Sequence, residues 1–233
     1  PTWRLVGEYD LTADNNIYAS LSRGYKPGGI NGTFAQIFIP QTFEAETNDA
    51  LEIGSKNWLF DRTLRLNLAA YYYKHKNFQF IETDPFPFVS GMDNVPEIED
   101  YGLEIEANYT SPDKKLNIGG TLSLQTGEVS KTFRTLDSTL VQQLEGTAIK
   151  SFQNGVGACA FGGPFYNPAC WAAVLASAKD VKGNSPPAAP EVSGAINASY
   201  RFDSSFGTFT PRVEVVHRGE QWARIFNTTV DKV

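Results

Sequence analysis

The sequence predicts an all-β, antiparallel transmembrane barrel wall of about eight strands. Three observations carry that reading: strict apolar–polar alternation, connections that are short at one end and long at the other, and aromatic residues in two bands. Residues 63–72 place Leu64, Leu66, Leu68, Ala70 and Tyr72 on one face and Arg65, Asn67, Ala69 and Tyr71 on the other. Residues 101–109 repeat the pattern, with Tyr101, Leu103, Ile105, Ala107 and Tyr109 set against Glu104, Glu106 and Asn108. A period of two marks a strand with one dry and one wet face. The join at 111–115, Ser-Pro-Asp-Lys-Lys, is a tight turn, whereas residues 131–190 form one long connection. Outer-membrane barrels sort their connections in this way, and soluble sandwiches rarely do.

Eight strands in four hairpins are expected, in order. The first pair covers roughly 2–9 and 17–26, across Thr12-Ala13-Asp14-Asn15-Asn16. The second covers 48–59 and 63–80, across Phe60-Asp61-Arg62; the third covers 99–110 and 116–130. The last covers 191–202 and 207–222, across Asp203-Ser204-Ser205. Asp, Asn, Ser and Pro supply the turn chemistry in each short connection. Long extracellular loops are expected near 27–47, 81–98 and 131–190, with a short helix over 171–178. One partial barrel domain then occupies 1–233, with no linker or charge run to divide it. The segment 63–80 exceeds the roughly 9–11 residues that cross a bilayer, so it should project above the membrane. Tyr9, Trp58, Phe60, Tyr109, Tyr200 and Phe202 lie near the short turns, and Tyr71, Tyr72 and Tyr73 one membrane thickness higher. Two such bands fit interfacial girdles.

Composition narrows the class further. The mean hydropathy is −0.29 despite 16 Phe, 10 Tyr and 4 Trp. No apolar run approaches the roughly 18 residues of a transmembrane helix, which excludes a helical membrane protein and leaves a barrel open. A net charge of −6 without a Lys/Arg block argues against a nucleic-acid partner. Cys159 and Cys170 both fall in the longest connection; they read as a loop disulfide in an oxidising compartment, against the alternative of an intracellular reactive pair. Their spacing suits no common zinc pattern. Export to an outer membrane needs a signal peptide, and none precedes the first strand, so a longer precursor is expected.

The ordered motifs resemble the barrel of TonB-dependent outer-membrane receptors. They are Ile-Tyr-Ala-Ser-Leu-Ser-Arg-Gly-Tyr-Lys-Pro-Gly-Gly-Ile-Asn at 17–31, Phe-Glu-Ala-Glu-Thr at 43–47 and Leu-Glu-Ile-Gly-Ser-Lys at 51–56. The strand at 64–73 followed by Phe78-Gln79, Tyr-Gly-Leu-Glu-Ile-Glu at 101–106, and Pro190-Glu191 leading to Tyr200-Arg201-Phe202 continue in family order. The flavour looks like receptors common in sphingomonads and caulobacters. The resemblance implies about eight strands of a 22-stranded barrel, with outer-membrane lipid outside and a plug domain inside. It also implies the TonB complex as energy source and a small-molecule ligand, a ferric siderophore by family frequency. The TonB-binding box, the plug and the terminal aromatic strand of the family are absent from these residues.

By strand parity Glu52, Lys56, Arg65, Asn67, Glu104, Glu106, Asn117, Gln125, Asn197, Arg201, Arg212 and Glu214 face the lumen, as a solvated lining that touches the plug. Ligand capture, by the resemblance, belongs to the upper wall and outer loops. Its candidates are Tyr25, Lys26, Asn31, Phe78, Gln79, Phe80, Phe86, Tyr166, Trp171 and Arg224. Aromatics offer flat contact area, and the cations can pair with an anionic chelate or sugar acid. Nothing reads as an enzyme or a cofactor site. His75 and His217 lack metal-spaced partners, and no Gly-x-Ser-x-Gly, His-Glu-x-x-His or phosphate loop occurs. Glu104 and Glu106 read as a wet wall and not as a glycosidase pair. A passive porin and a soluble β-sandwich binding protein are the alternative readings.

Overall fold

The computed structural model describes residues 1–32, 39–85, 88–137, 172, 176 and 178–233. In chain order the strands are β1 (Trp3–Thr12), β2 (Asn15–Lys26), β3 (Gly29–Ile30), β4 (Thr42–Phe43), β5 (Glu46–Leu59), β6 (Leu64–Pro85) and β7 (Phe88–Thr110). There follow β8 (Leu116–Val129), β9 (Arg134–Thr135), β10 (Lys179–Asp180), β11 (Val192–Tyr200), β12 (Phe202–Ser204), β13 (Gly207–Phe209) and β14 (Arg212–Arg218). A single 3-10 turn closes the chain at Thr229–Asp231. Eight strands make one sheet in the order β1-β2-β5-β6-β7-β8-β11-β14; β3/β4, β9/β10 and β12/β13 are small ribbons in the connections. Every wall pair is antiparallel. The sheet is open, since β1 and β14 each pair with one neighbour among the described residues. Among the described residues the eight-stranded sheet is the one large sheet, the others having two strands each.

Register sorts the side chains. One row across the sheet reads Leu5, Leu21, Leu51, Tyr72, Tyr101, and the next but one reads Tyr9, Ile17, Ser55, Leu68, Ile105, Leu122. Apolar side chains on this face, including Ile53 and Leu103 of the row between, are exposed: Leu5 by 66%, Ile53 by 53%, Leu103 by 52%. A contiguous apolar face of this extent requires a covering, and hydrocarbon is one that suits a sheet whose backbone groups are already paired. The opposite face carries Glu52, Lys56, Arg65, Asn67, Glu104, Glu106, Asn117, Asn197, Arg212 and Glu214 in matching rows, as expected. Arg201 lies between β11 and β12 and pairs with Asp203 instead. Tyr72 and Tyr101 form the upper aromatic band on the apolar face. Tyr71 and Tyr73 do not join it, because a period of two sends them to the polar face, where their rings stack at 4.6 Å. Trp58 follows Arg65 onto the polar face for the same reason.

On the polar face two tyrosines lie over glycines. A Cβ at Gly54 would stand 2.6 Å from the Tyr18 ring, and one at Gly102 2.6 Å from the Tyr71 hydroxyl. The aromatic side chain thus fills the gap that glycine leaves in each strand. At the short-turn end, Asp14 accepts a hydrogen bond from Arg62 at 2.6 Å, which ties the first turn to the second. Phe60, Asp61 and Arg62 all take the left-handed backbone conformation in that second turn.

The long-loop end departs from expectation at 81–98. Strands β6 and β7 continue in register from Phe78↔Val95 to Pro85↔Phe88, so a tall hairpin stands where a connection was expected. Pro96, which reads as a strand breaker, faces Asn77 at the one step where the ladder lacks a pair. Asn77 takes a φ of 54° there, and Asn94 Nδ2 bonds its carbonyl at 2.8 Å. Around the hairpin Val95, Ile98, Val129, Val181 and Ile225 form a small buried core, flanked by Phe78, Phe80, Phe133 and Phe226. Of the expected helix at 171–178, Ala172 and Ala176 are helical and Ala178 is not, and the other five residues lie outside the described residues.

The two-faced wall makes one position diagnostic. Leu68 stands midway between Leu64 and Tyr72 on the apolar face, and Leu68→Arg should destabilise the assembled barrel in bilayers by about 2–4 kcal/mol. Asn67→Arg, one residue away on the polar face, should leave denaturant unfolding within about 0.5 kcal/mol of the parent.

Candidate functional site

Polar chemistry gathers in two places: along the inner wall and in the crown of loops above it. On the wall, Tyr18 Oη donates to Glu52 Oε1 at 2.7 Å, and Lys56 Nζ lies 5.2 Å from the Tyr18 ring centre. Glu106 accepts from Arg65 at 2.6 Å, from Asn67 at 3.0 Å and from Asn108 at 2.9 Å. Tyr71 Oη donates to Gln125, whose Nε2 reaches the Pro190 carbonyl at 2.9 Å. A trough of about 620 Å³ runs over this face, bordered by Tyr18, Lys56, Asn67, Glu104, Ser193 and Arg218. A wider depression of about 840 Å³ lies over Gly7, Ala19, Ile53, Ala70 and Leu103. Those residues belong to the apolar face, and Glu8, Tyr18 and Glu104 of the polar face also border the depression. Part of the inner wall's charge is paired within the wall, as Arg65 with Glu106 and Arg212 with Glu214, which suits a hydrated lining.

The crown is assembled by side-chain amides that bond main chain. Asn31 Nδ2 donates to the Pro40 and Met92 carbonyls at 2.7 and 2.8 Å, and its Oδ1 accepts from Met92 N at 2.8 Å. That ties the first loop to β7. Gln79 Nε2 donates to the Pro27 and Glu44 carbonyls at 2.9 and 3.0 Å, and Gln79 N donates to Glu46 at 3.0 Å. That ties the same loop to β6. Asn94 completes the junction by accepting from Glu44 N at 2.6 Å. Across the crown, Arg224 is held by Asp137 at 3.0 Å and by Asp231, while Lys179 stands 3.9 Å from Asp137. Asn184 Nδ2 bonds the Ile225 carbonyl at 2.9 Å, and Asn227 exchanges two bonds with Ser185.

These environments shift the acids. Burial alone would raise the Glu97 carboxyl, but hydrogen bonds from Lys74, Lys131 and Ser130 outweigh it and hold the group down to about 2. Burial works the same way on Asp231 and is again outweighed, here by bonds from Thr228 and the Arg224 guanidinium, which lower it.

Of the residues expected to meet ligand, Tyr25 and Lys26 are exposed at the top of β2. Phe78, Phe80 and Arg224 come together around a cavity of about 290 Å³, with Glu82, Leu136 and Phe226. Asn31 and Gln79 are buried, and their side chains are occupied by the main-chain bonds above. Phe86, Tyr166 and Trp171 lie outside the described residues, as do Cys159 and Cys170. Sequence reasoning missed Asn94, Glu97, Asp137 and Asp231. Only Asp231 carries a local signal, the Thr228-x-x-Asp231 capping pattern that starts the 3-10 turn.

A family model described as TonB dependent receptor-like, beta-barrel, matches residues 1–232. The chain belongs to this family. Solved structures share its fold at low identity. The ferric yersiniabactin uptake receptor FyuA from Yersinia pestis matches with a TM-score of 0.64 and 18% identity, over 98% of this chain and 27% of that one. The siderophore receptor PiuA from Acinetobacter baumannii gives 0.61 and 19%, over 97% and 27%. BauA, the ferric preacinetobactin receptor of the same organism, gives 0.60 and 16%, over 97% and 26%. This chain therefore spans about a quarter of the length of those structures.

Two outcomes follow for the crown. Arg224→Ala leaves Asp137 and Asp231 buried without their shared cation and should lower the stability of the loops by about 3 kcal/mol, read as faster local hydrogen exchange at 221–233. Because the Glu97 value lies below the ordinary 4.5, its contribution is complete at neutral pH and is lost as pH falls through about 4.5 towards about 2. Near-ultraviolet circular dichroism should record that loss, and Glu97→Gln should remove this component of the acid transition.

Proposed function

We propose that this chain is wall and outer loops of an outer-membrane receptor that takes up a scarce ligand, with a ferric siderophore as leading candidate. The observation that carries the reading is the division of labour within one sheet. An exposed apolar face backs onto a polar, hydrogen-bonded one, and a packed crown caps the long-loop end alone. Family membership and the siderophore receptors among the structural neighbours support it. The role is capture and transport, not catalysis. The outer membrane of a Gram-negative cell holds no ATP or ion gradient of its own. Energy would therefore arrive from the TonB complex, through a plug domain within the completed barrel.

Within this proposal the ligand meets the crown. Tyr25 and Lys26 offer an exposed aromatic surface and a cation at the lip. Phe78 and Phe80 offer flat apolar contact inside the cavity. Arg224 is already neutralised by two carboxylates, so it contributes the flank of its guanidinium more than a free charge. Asn31 and Gln79 act by fixing the first loop.

Cells that depend on the intact receptor should lose accumulation of iron-55 supplied as a ferric siderophore when the receptor gene is deleted, and equally when TonB is inactivated. Tyr25→Ala and Phe80→Ala should each weaken binding about tenfold, as loss of a buried aromatic contact does. Undiminished uptake of every siderophore in a broad panel would defeat the iron assignment. Steady conductance of the purified protein in planar bilayers would favour a passive pore.

A further inference from the structure

His75 stands at the junction of wall, first loop and crown. It lies on β6 just above Tyr73, on the polar face, with its side chain 19% exposed. Its Nδ1 is 3.7 Å from Glu46 Oε1 and its Nε2 is 3.5 Å from Asp100 Oδ2. The imidazole thus sits between a carboxylate on β5 and one on β7. Neither distance is a formed hydrogen bond, and Nδ1 is buried without a partner among the described residues. The Phe78 ring meets the imidazole edge-on at 5.9 Å and leads into the crown core.

Among the described residues His75 is the basic side chain within 4 Å of Glu46 and of Asp100; Lys26 on β2 faces Glu46 in register without an ion pair between them. In register His75 faces Asn48 on β5 and Ile98 on β7, both uncharged. Strand β8 places Gly127 beside Asp100. Tyr73 is the neighbouring ionisable side chain on the same face of β6. Lys74 and Lys76 point to the other face, where they engage Glu97, Glu99 and Asp49. Glu46 has a second duty, since its Oε2 accepts the Gln79 backbone N–H at 3.0 Å. Gln79 in turn holds Pro27 and Glu44 of the first loop.

We propose that His75 is a proton-operated clamp on the base of the first loop. The imidazolium has two N–H groups, one for each carboxylate, and draws β5 and β7 onto β6. Neutral imidazole has one N–H, so one carboxylate loses its partner. When that carboxylate is Glu46, the anchor of Gln79 loosens and with it the loop that Gln79 holds. Protonation of the imidazole therefore tightens the loop base, and loss of the proton frees it. This device lies outside the ligand-contacting residues and does not depend on the ligand's identity.

The test is hydrogen exchange of the intact receptor in outer-membrane vesicles, at about pH 5.5 and about pH 8, corrected for intrinsic exchange. Amides of Glu46 and Gln79 should be about tenfold more protected at the lower pH, the effect of one charged hydrogen bond gained. His75→Gln should abolish that difference, and Asp100→Asn should reduce it. His217→Gln, which alters the other histidine on β14, should leave it intact. A pH difference that survives His75→Gln, or its absence from the parent protein, overturns the proposal.

Discussion

Every other feature of this molecule depends on the backbone ladder that joins the eight wall strands. A sheet with an apolar exposed face cannot leave N–H and C=O groups open to hydrocarbon, so each strand must bond both neighbours along its length. The pleat then decides the rest. Because opposite residues share a face, Leu21, Leu51 and Tyr72 fall in one row, and Ser20, Glu52 and Tyr71 fall in the row behind. A slip of one residue at any pair would turn a whole strand inside out, exchanging leucine for glutamate along the apolar band. Register is therefore specified by the solvent on each side, and the tight turns serve to keep it.

Above the upper tyrosine band that constraint relaxes, and a different one takes over. The loops must fold without a bilayer and with few apolar residues. They do so with five asparagine and glutamine side chains, Asn31, Gln79, Asn94, Asn184 and Asn227, each bonding main-chain groups of another segment. A carboxamide presents a donor and an acceptor, as a peptide group does, so it can stand in for a missing strand neighbour. The buried cluster around Val95 and Ile225 supplies the apolar share, and the paired charges of Arg224 with Asp137 and Asp231 fix its far side. The crown is consequently an ordered platform over the inner wall, and the tall β6–β7 hairpin is its mast.

This arrangement bears on recognition. On the inner wall Glu106 pairs with Arg65 and Glu214 with Arg212, while Glu52 takes a hydrogen bond from the neutral Tyr18 hydroxyl. Under the proposed function selectivity belongs to the crown, where aromatic residues border a cavity and Arg224 in its lining is already engaged by Asp137 and Asp231. His75 occupies the narrow level between these two zones, and its two carboxylate neighbours belong to different strands.

The sequence by itself determined the wall. Period-two patterning located the eight wall strands to within about three residues at most ends, and it assigned Glu52, Lys56, Glu104 and Glu106 to the inner face; the expected strand 207–222 is instead β13 and β14, with Pro211 between them. It failed where the contrast between a dry and a wet face vanished. In 81–98 the sequence showed no such contrast and a connection was expected; the pairing of β6 with β7 there only the fold reveals. The triplet Tyr71-Tyr72-Tyr73 gave an aromatic band, but the pleat alone decided that only Tyr72 joins it. Among the expected ligand residues, the family resemblance could mark Asn31, Gln79 and Arg224, yet not that their polar atoms are occupied by partners 7 to 87 residues away. Local pattern fixes which face a residue takes; the groups it meets there depend on how distant loops close over one another, and only the tertiary structure decided that.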